Sequence, residues 1–177
     1  MVSKTEVDKR RLRIMLQRDD IAQIIEDYDR MKLRIGMTAS HSALDICDGG
    51  IEEGFPTVAY CQEGRHKTYA NYFKTKRSSS GRVLRGMVDK AIVMPSFNDV
   101  MNDSMQVEMR KRNVVYIPNR SFTSYSSIED VENKFRVPLF GSRNMLRMEE
   151  RTEEQDYYWI LDKAGLPYPE AIENPED

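Results

Sequence analysis

Four short apolar segments, each separated from the next by polar sequence, constrain the fold of this 177-residue chain more than any other feature. They read LRIGMTA, PTVAYC, DKAIVM and VVYIP, and each has the length and composition of a buried strand. Segments with helical spacing of apolar residues lie between and after them. Strands that alternate with helices are typical of an open, mostly parallel sheet with helices on both faces, so we predict an α/β fold.

The helices are predicted from periodicity and from end signals. They cover residues 4–31 (one broken helix or two consecutive ones, with Asp19 and Asp20 as a cap between them), 42–53 (closed by Gly49 and Gly50), 96–113 (capped by Ser96), 124–135 and 153–165 (ended by Gly165). VPLFGSR is predicted as a connector. Between Gly64 and Lys90 no regular pattern is visible, and this segment carries eight Lys or Arg residues against one Asp.

Charge and cysteine content restrict the classes of function. The 27 basic and 29 acidic residues nearly cancel, so any phosphate binding must be local. The sequence shows neither a signal peptide nor an apolar run of about 20 residues, so we expect a cytoplasmic protein without a membrane partner. Cys47 and Cys61 have neither metal-ligand nor redox spacing, so we expect two buried free thiols and no metal site.

Two loops have the chemistry to bind an anion. TASHS follows the first predicted strand and PNRSF follows the fourth, and ligands of such sheets bind beyond the carboxyl ends of the strands. Ser40, Ser42 and Ser121 offer hydroxyl donors, and His41 offers an imidazole donor, beside helix N-termini that attract phosphate. The alternative is that His41 is a satisfied structural side chain. TASHS lacks both the GxGxxG and the P-loop patterns, so it does not identify a particular phosphate compound as the ligand.

The basic segment allows three interpretations. Arg65 and Lys67 follow the second strand at the same edge of the sheet, so they are candidates to line the same cleft. The segment is equally explained as a solvated loop. The aromatic residues of TYANYF alternate with basic ones, which is a weak indication of nucleic-acid binding.

Several longer strings carry a family resemblance. They are TASHSALDICDGGIEEGFPTVAYCQEGR, VVYIPNRSF, EDVENKFRVPLFGSRNMLRMEER and LDKAGLPYPEAIENPED. From about residue 16 to the last residue, the chain resembles the N-terminal half of the archaeal PurP family. Members of that family formylate aminoimidazole carboxamide ribonucleotide (AICAR) to FAICAR in purine biosynthesis, using formate and ATP. An N-terminal extension and a longer basic loop around Ser78 to Ser80 are unmatched.

The resemblance implies a Rossmann-like (pre-ATP-grasp) domain that holds the acceptor, followed by an ATP-grasp region that holds ATP and magnesium. It divides the chain into a helical extension (1–31), the Rossmann-like domain (32–141) and a linker helix (142–177). The family residues that contact the ribonucleotide correspond to His41 and Ser121. The implied partners are an AICAR-like phosphoribosyl compound, formate, and an ATP-grasp region in cis or in trans. The family's tendency to assemble also makes a homo-oligomer plausible.

The sequence departs from the family in two respects. The family usually has PHGSF where this chain has PNRSF, so Asn119 and Arg120 become candidate substrate contacts and the exact substrate stays open. The ATP-contacting lysine, the glycine-rich loop and the magnesium carboxylates of the family have no counterpart up to Asp177, so no cofactor is expected in this chain and its catalytic residues stay unassigned. The alternatives are a non-catalytic nucleotide-binding module and, less favoured, an RNA-associated protein that uses residues 64–90.

Overall fold

The computed structural model of the chain describes residues 16–143, 145–148 and 155–169. Contacts divide the chain into two compact units, one up to Gly141 and one from Ser142. All the strands among the described residues belong to the first unit.

The first unit is built on a parallel sheet. Its strands are β1 (Arg34–Thr38), β2 (Thr57–Gln62), β3 (Lys76–Arg77), β4 (Val83–Arg85), β5 (Lys90–Met94) and β6 (Val114–Tyr116). Four of them form one sheet in the order β5-β2-β1-β6, and every neighbouring pair in it is parallel. The short strands β3 and β4 form a separate antiparallel pair. The predicted α/β fold with a mostly parallel sheet is therefore confirmed.

The helices of the first unit are α1 (Arg18–Glu26), α2 (Ala43–Glu52), α3 (Asp103–Lys111), α4 (Arg120–Tyr125) and α5 (Ile128–Lys134). Two 3-10 turns (Arg30–Lys32 and Phe97–Met101) and a π turn (Thr68–Tyr72) lie between them. The second unit contains α6 (Met145–Met148) and α7 (Tyr157–Lys163).

Side chains alternate along each strand, so every strand contributes residues to both faces of the sheet. Each face is covered by residues of a helix or loop. On one face Met37 of β1 packs against α2, where its sulfur lies 3.6 Å from the thiol of Cys47. On the other face Tyr116 of β6 contacts Phe122 of α4 and Phe135, with ring centroids 4.9 and 5.3 Å away. All five side chains are at most 1% exposed, so the sheet is the centre of the core.

Gly36 in β1 allows the aromatic face to form. A Cβ atom at this position would lie 2.5 Å from Val114 Cγ1 and 3.2 Å from the ring of Tyr60. Real Cβ contacts are longer than this, so any side chain here would displace its neighbours. The absence of a side chain on β1 lets the aromatic rings pack directly over the strand.

Two predicted helices are interrupted in the structure. The prediction of one helix over 96–113 is wrong because Asn102 has extended backbone angles and separates the 3-10 turn from α3. The prediction over 124–135 is wrong because Ser126 is extended and Ser127 begins a new helix, with its hydroxyl accepting a hydrogen bond from the Asp130 amide. The Ser-x-x-Asp pattern at 127–130 is a helix-start signal that could have indicated this break.

The end of α2 also differs from the prediction. Gly49 and Gly50 lie inside the helix rather than closing it. A Cβ at Gly50 would lie 3.1 Å from Thr57 Cγ2, so this glycine brings the helix close to the sheet. The chain leaves the helix at Gly54, whose φ of +82° is the left-handed conformation that favours glycine.

Three further segments refine the predictions. The segment 64–90 contains the π turn and the β3–β4 pair rather than only irregular backbone. The predicted connector extends the sheet beside β6, since the Tyr116 amide donates to Pro138 O and the Phe140 amide donates to Tyr116 O. Of the predicted helical extension, α1 is described, and Asp20 lies in its first turn, where it accepts a hydrogen bond from the Gln17 amide. Residues 1–15 lie outside the described part.

The second unit contains the predicted C-terminal helix in a shorter form. Helix α7 begins after Asp156, whose carboxylate accepts a hydrogen bond from the Trp159 amide. It ends before Gly165, as predicted, and this glycine has a φ of +66°. Residues 153 and 154 lie outside the described part. No helix among the described residues of either unit is long and apolar enough to cross a membrane.

Candidate functional site

The two loops singled out in the sequence lie side by side in the structure. Strands β1 and β6 are neighbours, while β2 and β5 continue the sheet on the other side of β1. The strand order therefore reverses between β1 and β6, and ligands of open α/β sheets bind at such a point, beyond the carboxyl ends of the strands. The loops that follow Thr38 and Tyr116 occupy this position.

Asn119 joins these two loops. Its side-chain amide donates to Thr38 O and to His41 O, with both N···O distances 2.9 Å. Its side-chain oxygen accepts from the Phe122 amide at 3.1 Å and so caps α4. Both amide hydrogens are thus committed to carbonyls of the β1 loop. A direct contact between this amide and an anion would have to displace one of these bonds.

Ser121 contacts the backbone beside the histidine. The His41 amide donates to Ser121 Oγ at 3.2 Å, across the gap between the two loops. Ser121 is 5% exposed, while the imidazole of His41 is exposed. A hydroxyl that accepts one hydrogen bond keeps its own hydrogen for donation. The residue pair predicted from the family resemblance is therefore brought together, with the Ser121 hydrogen and the imidazole both available to a ligand.

The two candidate serines of the β1 loop, Ser40 and Ser42, have different surroundings from Ser121. The Ser40 carbonyl accepts from the Tyr69 hydroxyl at 3.2 Å and from the Ala43 amide at 2.9 Å, so the backbone of Ser40 is held in place. The Ser42 hydroxyl lies 2.7 Å from His41 Nδ1. Both loop serines are thus part of the structure around the histidine.

The basic candidates lie at the rim. Arg120 is the first residue of α4, and its guanidinium makes no hydrogen bond or ion pair with the described part of the chain. Arg65 is exposed, and its guanidinium donates to the Tyr125 hydroxyl at 3.4 Å at the other end of α4. Lys67 is exposed at the start of the π turn. The first turn of α2 also carries Asp45, whose negative charge disfavours an anion. Positive charge from the basic residues at the rim is therefore needed for an anion to bind here.

Buried hydroxyl groups support the floor of the site. Tyr116 is fully buried, and its hydroxyl lies 2.6 Å from Thr38 Oγ1 at the end of β1. Burial raises the pKa of Tyr116 above its ordinary value, and it raises the pKa of Tyr69 to about 12. Both phenols therefore stay protonated at neutral pH and do not act as bases; the Tyr69 hydroxyl donates to Ser40 O, and the Tyr116 hydroxyl shares a hydrogen bond with Thr38 Oγ1.

An apolar cavity of about 330 Å³ lies elsewhere in the first unit. Its lining includes Tyr28, Leu33, Val115 and Leu139, and none of the candidate site residues. The polar site at the strand ends is an open surface between two loops. A phosphate ligand needs hydrogen-bond donors and positive charge, and this cavity offers mostly apolar surface, so the loops at the strand ends suit a phosphate better.

The described residues offer no metal site. No three His, Cys, Asp or Glu side chains among them are grouped so that they could hold a metal ion. The two cysteines are free and buried, and burial raises the pKa of each thiol to about 12.

Sequence reasoning missed part of the scaffold of the site. The sequence predicts Asn119 as a ligand contact, although an Asn before a short helical segment is also a typical N-cap signal. Tyr69, Tyr125 and Thr38 were not singled out. Their roles depend on contacts between residues that are 29 to 78 positions apart, and no local pattern shows such contacts.

Comparison with known proteins identifies a family that the chain matches. The family described as "Protein of unknown function (DUF1246)" matches residues 35–172. The chain is 35% identical over 164 residues to the 5-formaminoimidazole-4-carboxamide-1-(beta)-D-ribofuranosyl 5'-monophosphate synthetase of Methanopyrus kandleri, and 34% identical over 164 residues to that of Methanocaldococcus jannaschii. Each alignment covers 92% of this chain and 41% of the relative.

A solved structure is also similar. It is the crystal structure of an IMP biosynthesis protein PurP from Thermococcus kodakaraensis, with a TM-score of 0.57 and 30% sequence identity. The match covers 81% of this chain and 40% of that protein. These similarities confirm the resemblance to PurP inferred from the sequence. The chain spans about two-fifths of the length of the curated relatives it matches.

Proposed function

From the premise that this chain belongs to the DUF1246 family, we propose that it binds an AICAR-type phosphoribosyl compound as the acceptor-binding part of a formate- and ATP-dependent ligase of IMP biosynthesis. The names of its relatives support this proposal, since they are synthetases of the formylated product and an IMP biosynthesis protein. The observation that carries it is the hydrogen bond between the His41 amide and Ser121 Oγ, which unites the two loops at the strand-order reversal.

The groups with unused hydrogen-bonding capacity suit a phosphate ester. The Ser121 hydroxyl hydrogen and the imidazole of His41 are donors, and the guanidinium of Arg120 adds a positive charge with a planar set of N–H groups. Hydrogen bonds to charged groups contribute about 1.5–3 kcal/mol each. In this proposal, His41 and Ser121 orient the phosphoribosyl group.

Asn119 and Arg65 have supporting roles in the proposal. Asn119 fixes the β1 loop through its two amide hydrogens, so it positions His41 rather than donating to the ligand. Arg65 contributes positive charge at the rim, where its hydrogen bond to Tyr125 restrains the guanidinium. Neither ATP nor magnesium is assigned to a described residue in this proposal, and no group of three or more His, Cys, Asp or Glu side chains among those residues could hold a metal ion. That chemistry belongs to an ATP-grasp region supplied in cis or in trans.

Isothermal titration calorimetry of AICAR into the purified chain tests the proposal. Ribose 5-phosphate and ATP serve as comparison ligands. We expect AICAR to bind more tightly than either, and we expect His41→Ala and Ser121→Ala each to weaken binding by about ten- to a hundredfold, the loss expected for one hydrogen bond to a charged group. Ser104→Ala, on the exposed surface of α3, is the control variant and should bind like the parent chain.

Two results would contradict the proposal. One is a folded chain to which AICAR does not bind, and the other is AICAR binding that both site variants leave unchanged. Equal affinity for AICAR and ribose 5-phosphate would instead favour a general phosphoribosyl-binding module, because the purine precursor would then contribute nothing to recognition.

A further inference from the structure

Ser42 has an unusual backbone conformation for its position. It directly precedes α2 and has a φ of +58° and a ψ of +9°, in the left-handed region. Among the described non-glycine residues, only Asn113 shares a positive φ. Side chains with a Cβ rarely adopt this conformation, and an outlier of this kind at a ligand-binding loop suggests a functional constraint.

The Ser42 side chain also lacks the usual role of a serine at a helix start. A serine at this position normally accepts a hydrogen bond from an amide of the first helical turn. The Ser42 hydroxyl makes no such bond with α2. It lies 2.7 Å from His41 Nδ1, which is a short hydrogen-bond distance.

This contact determines what His41 can offer a ligand. The backbone of His41 is already fixed, since its amide donates to Ser121 and its carbonyl accepts from Asn119. A neutral imidazole has one donor nitrogen and one acceptor nitrogen, and the hydrogen bond at one nitrogen decides the role of the other. If Nδ1 donated to Ser42, then Nε2 would present a lone pair to the solvent, which would repel an anion.

We infer that Ser42 is a positioning residue that donates its hydroxyl hydrogen to His41 Nδ1 and thereby keeps a hydrogen on Nε2, directed toward a phosphate ester. In this left-handed conformation the Ser42 oxygen makes no hydrogen bond with α2 and lies 2.7 Å from His41 Nδ1. The part of this inference that concerns the ligand rests on the proposed function. The part that concerns the tautomer can be measured on the free chain.

Nitrogen-15 NMR of the histidine rings tests the tautomer directly. The chain contains only two histidines, so His66 serves as an internal reference. Spectra are recorded about two pH units above the reference imidazole pKa of about 6.5, where a free imidazole is neutral. We expect His41 to show an unprotonated Nδ1 and a protonated Nε2. A protonated Nδ1 in the parent chain would overturn the inference.

Two Ser42 variants separate the hydroxyl from the backbone. Ser42→Ala and Ser42→Gly both remove the hydroxyl, but glycine also relieves the left-handed conformation. We expect both to shift the ring nitrogens of His41 toward values averaged between the two tautomers, and to leave His66 unchanged. If the His41 shifts stay at the parent values in both variants, Ser42 does not set the tautomer.

Binding measurements then connect the tautomer to the ligand. His41→Gln places an amide donor near the position of Nε2, whereas His41→Asn places one near Nδ1. We expect the Gln variant to retain more AICAR affinity than the Asn variant, and Ser42→Ala to lose about three- to tenfold, as for one neutral hydrogen bond. Equal loss in the Gln and Asn variants would contradict the orientation.

The two proposals fail separately. If AICAR does not bind while the NMR signature appears and depends on Ser42, the proposed ligand is wrong and the tautomer assignment stands. If AICAR binding depends on His41 but neither the spectra nor the affinity responds to Ser42, the proposed function stands and this inference is wrong.

Discussion

Replacing Asn119 by alanine should destabilise the first unit and loosen the β1 loop together. The side chain makes three hydrogen bonds, two from its amide nitrogen to Thr38 O and His41 O and one from the Phe122 amide to its oxygen. Alanine removes all three. The His41 carbonyl then loses this partner, while Thr38 O still accepts from the Ser40 amide at 2.8 Å and the Phe122 amide still donates to Asn119 O at 2.9 Å.

The size of the effect follows from these bonds. Each of the two donor bonds contributes about 1 kcal/mol net. Loss of an Asn cap costs about 1 kcal/mol more. Asn119 is only half-buried, so water can replace part of what is lost. We therefore expect Asn119→Ala to lower the free energy of unfolding by about 2 kcal/mol, somewhat less than the sum of the three contributions.

Asn119→Asp separates the amide donors from the cap. Aspartate is as good an N-cap as asparagine, and its charge is favourable at a helix start. It also places a second carboxylate oxygen against the two loop carbonyls, where no hydrogen remains to donate. We expect this variant to be at least as destabilised as Asn119→Ala, although it keeps the cap.

Urea unfolding followed by far-ultraviolet circular dichroism measures these differences. Trp159 is the only tryptophan and belongs to the second unit, so circular dichroism is chosen to follow unfolding of the first unit. Asn98→Ala is the control variant, because the side chain of this exposed residue makes no hydrogen bond within the described part of the chain. Parental stability of Asn119→Asp would refute the reasoning, since the cap alone would then explain the role of Asn119.

Three further predictions concern the core. Gly36→Ala should cost about 1–3 kcal/mol in urea unfolding, because its Cβ would lie 2.5 Å from Val114 Cγ1, whereas Gly49→Ala in α2, with nothing within 4 Å, should be neutral or stabilising. Native Cys47 and Cys61 should not react with a thiol reagent near pH 8, because burial raises both pKa values to about 12; a fast-reacting equivalent would contradict this. Burial raises the pKa of four phenols, those of Tyr28, Tyr60, Tyr69 and Tyr116. A raised folded-state pKa gives stability that is complete below pH of about 10 and is lost above it. Alkaline titration should therefore produce tyrosinate from these phenols only together with loss of the circular dichroism signal.

The sequence was sufficient to predict the type of sheet but not the order of its strands. The four apolar segments correspond to β1, β2, β5 and β6, and their alternation with helices indicated parallel pairing. Nothing in the sequence placed β6 beside β1, because that neighbour relation depends on packing between segments about 80 residues apart. The reversal in strand order, which brings the two loops together, therefore could not be predicted from local patterns.

Helix ends were predictable only where a local signal was read correctly. Gly165 was interpreted as a helix end and has the left-handed backbone of one. Gly50 was interpreted in the same way, but it serves the close approach of α2 to Thr57. A glycine in either role looks the same in sequence, and only the contact with the sheet distinguishes them.

The chemistry of the site separates into a scaffold and a set of free donors. The Asn119 side chain and the backbone of His41 form hydrogen bonds within the protein. The Ser121 hydroxyl hydrogen and the Arg120 guanidinium form none with the described part of the chain. A change in the scaffold must therefore alter both stability and affinity, since the same bonds fix the fold and aim the histidine. A change at Arg120 should alter affinity alone, because no hydrogen bond or ion pair of the described residues depends on its guanidinium, whereas Ser121→Ala also removes the acceptor of the His41 amide. This difference makes it possible to tell a ligand contact such as Arg120 from a structural residue such as Asn119 without a structure of the complex.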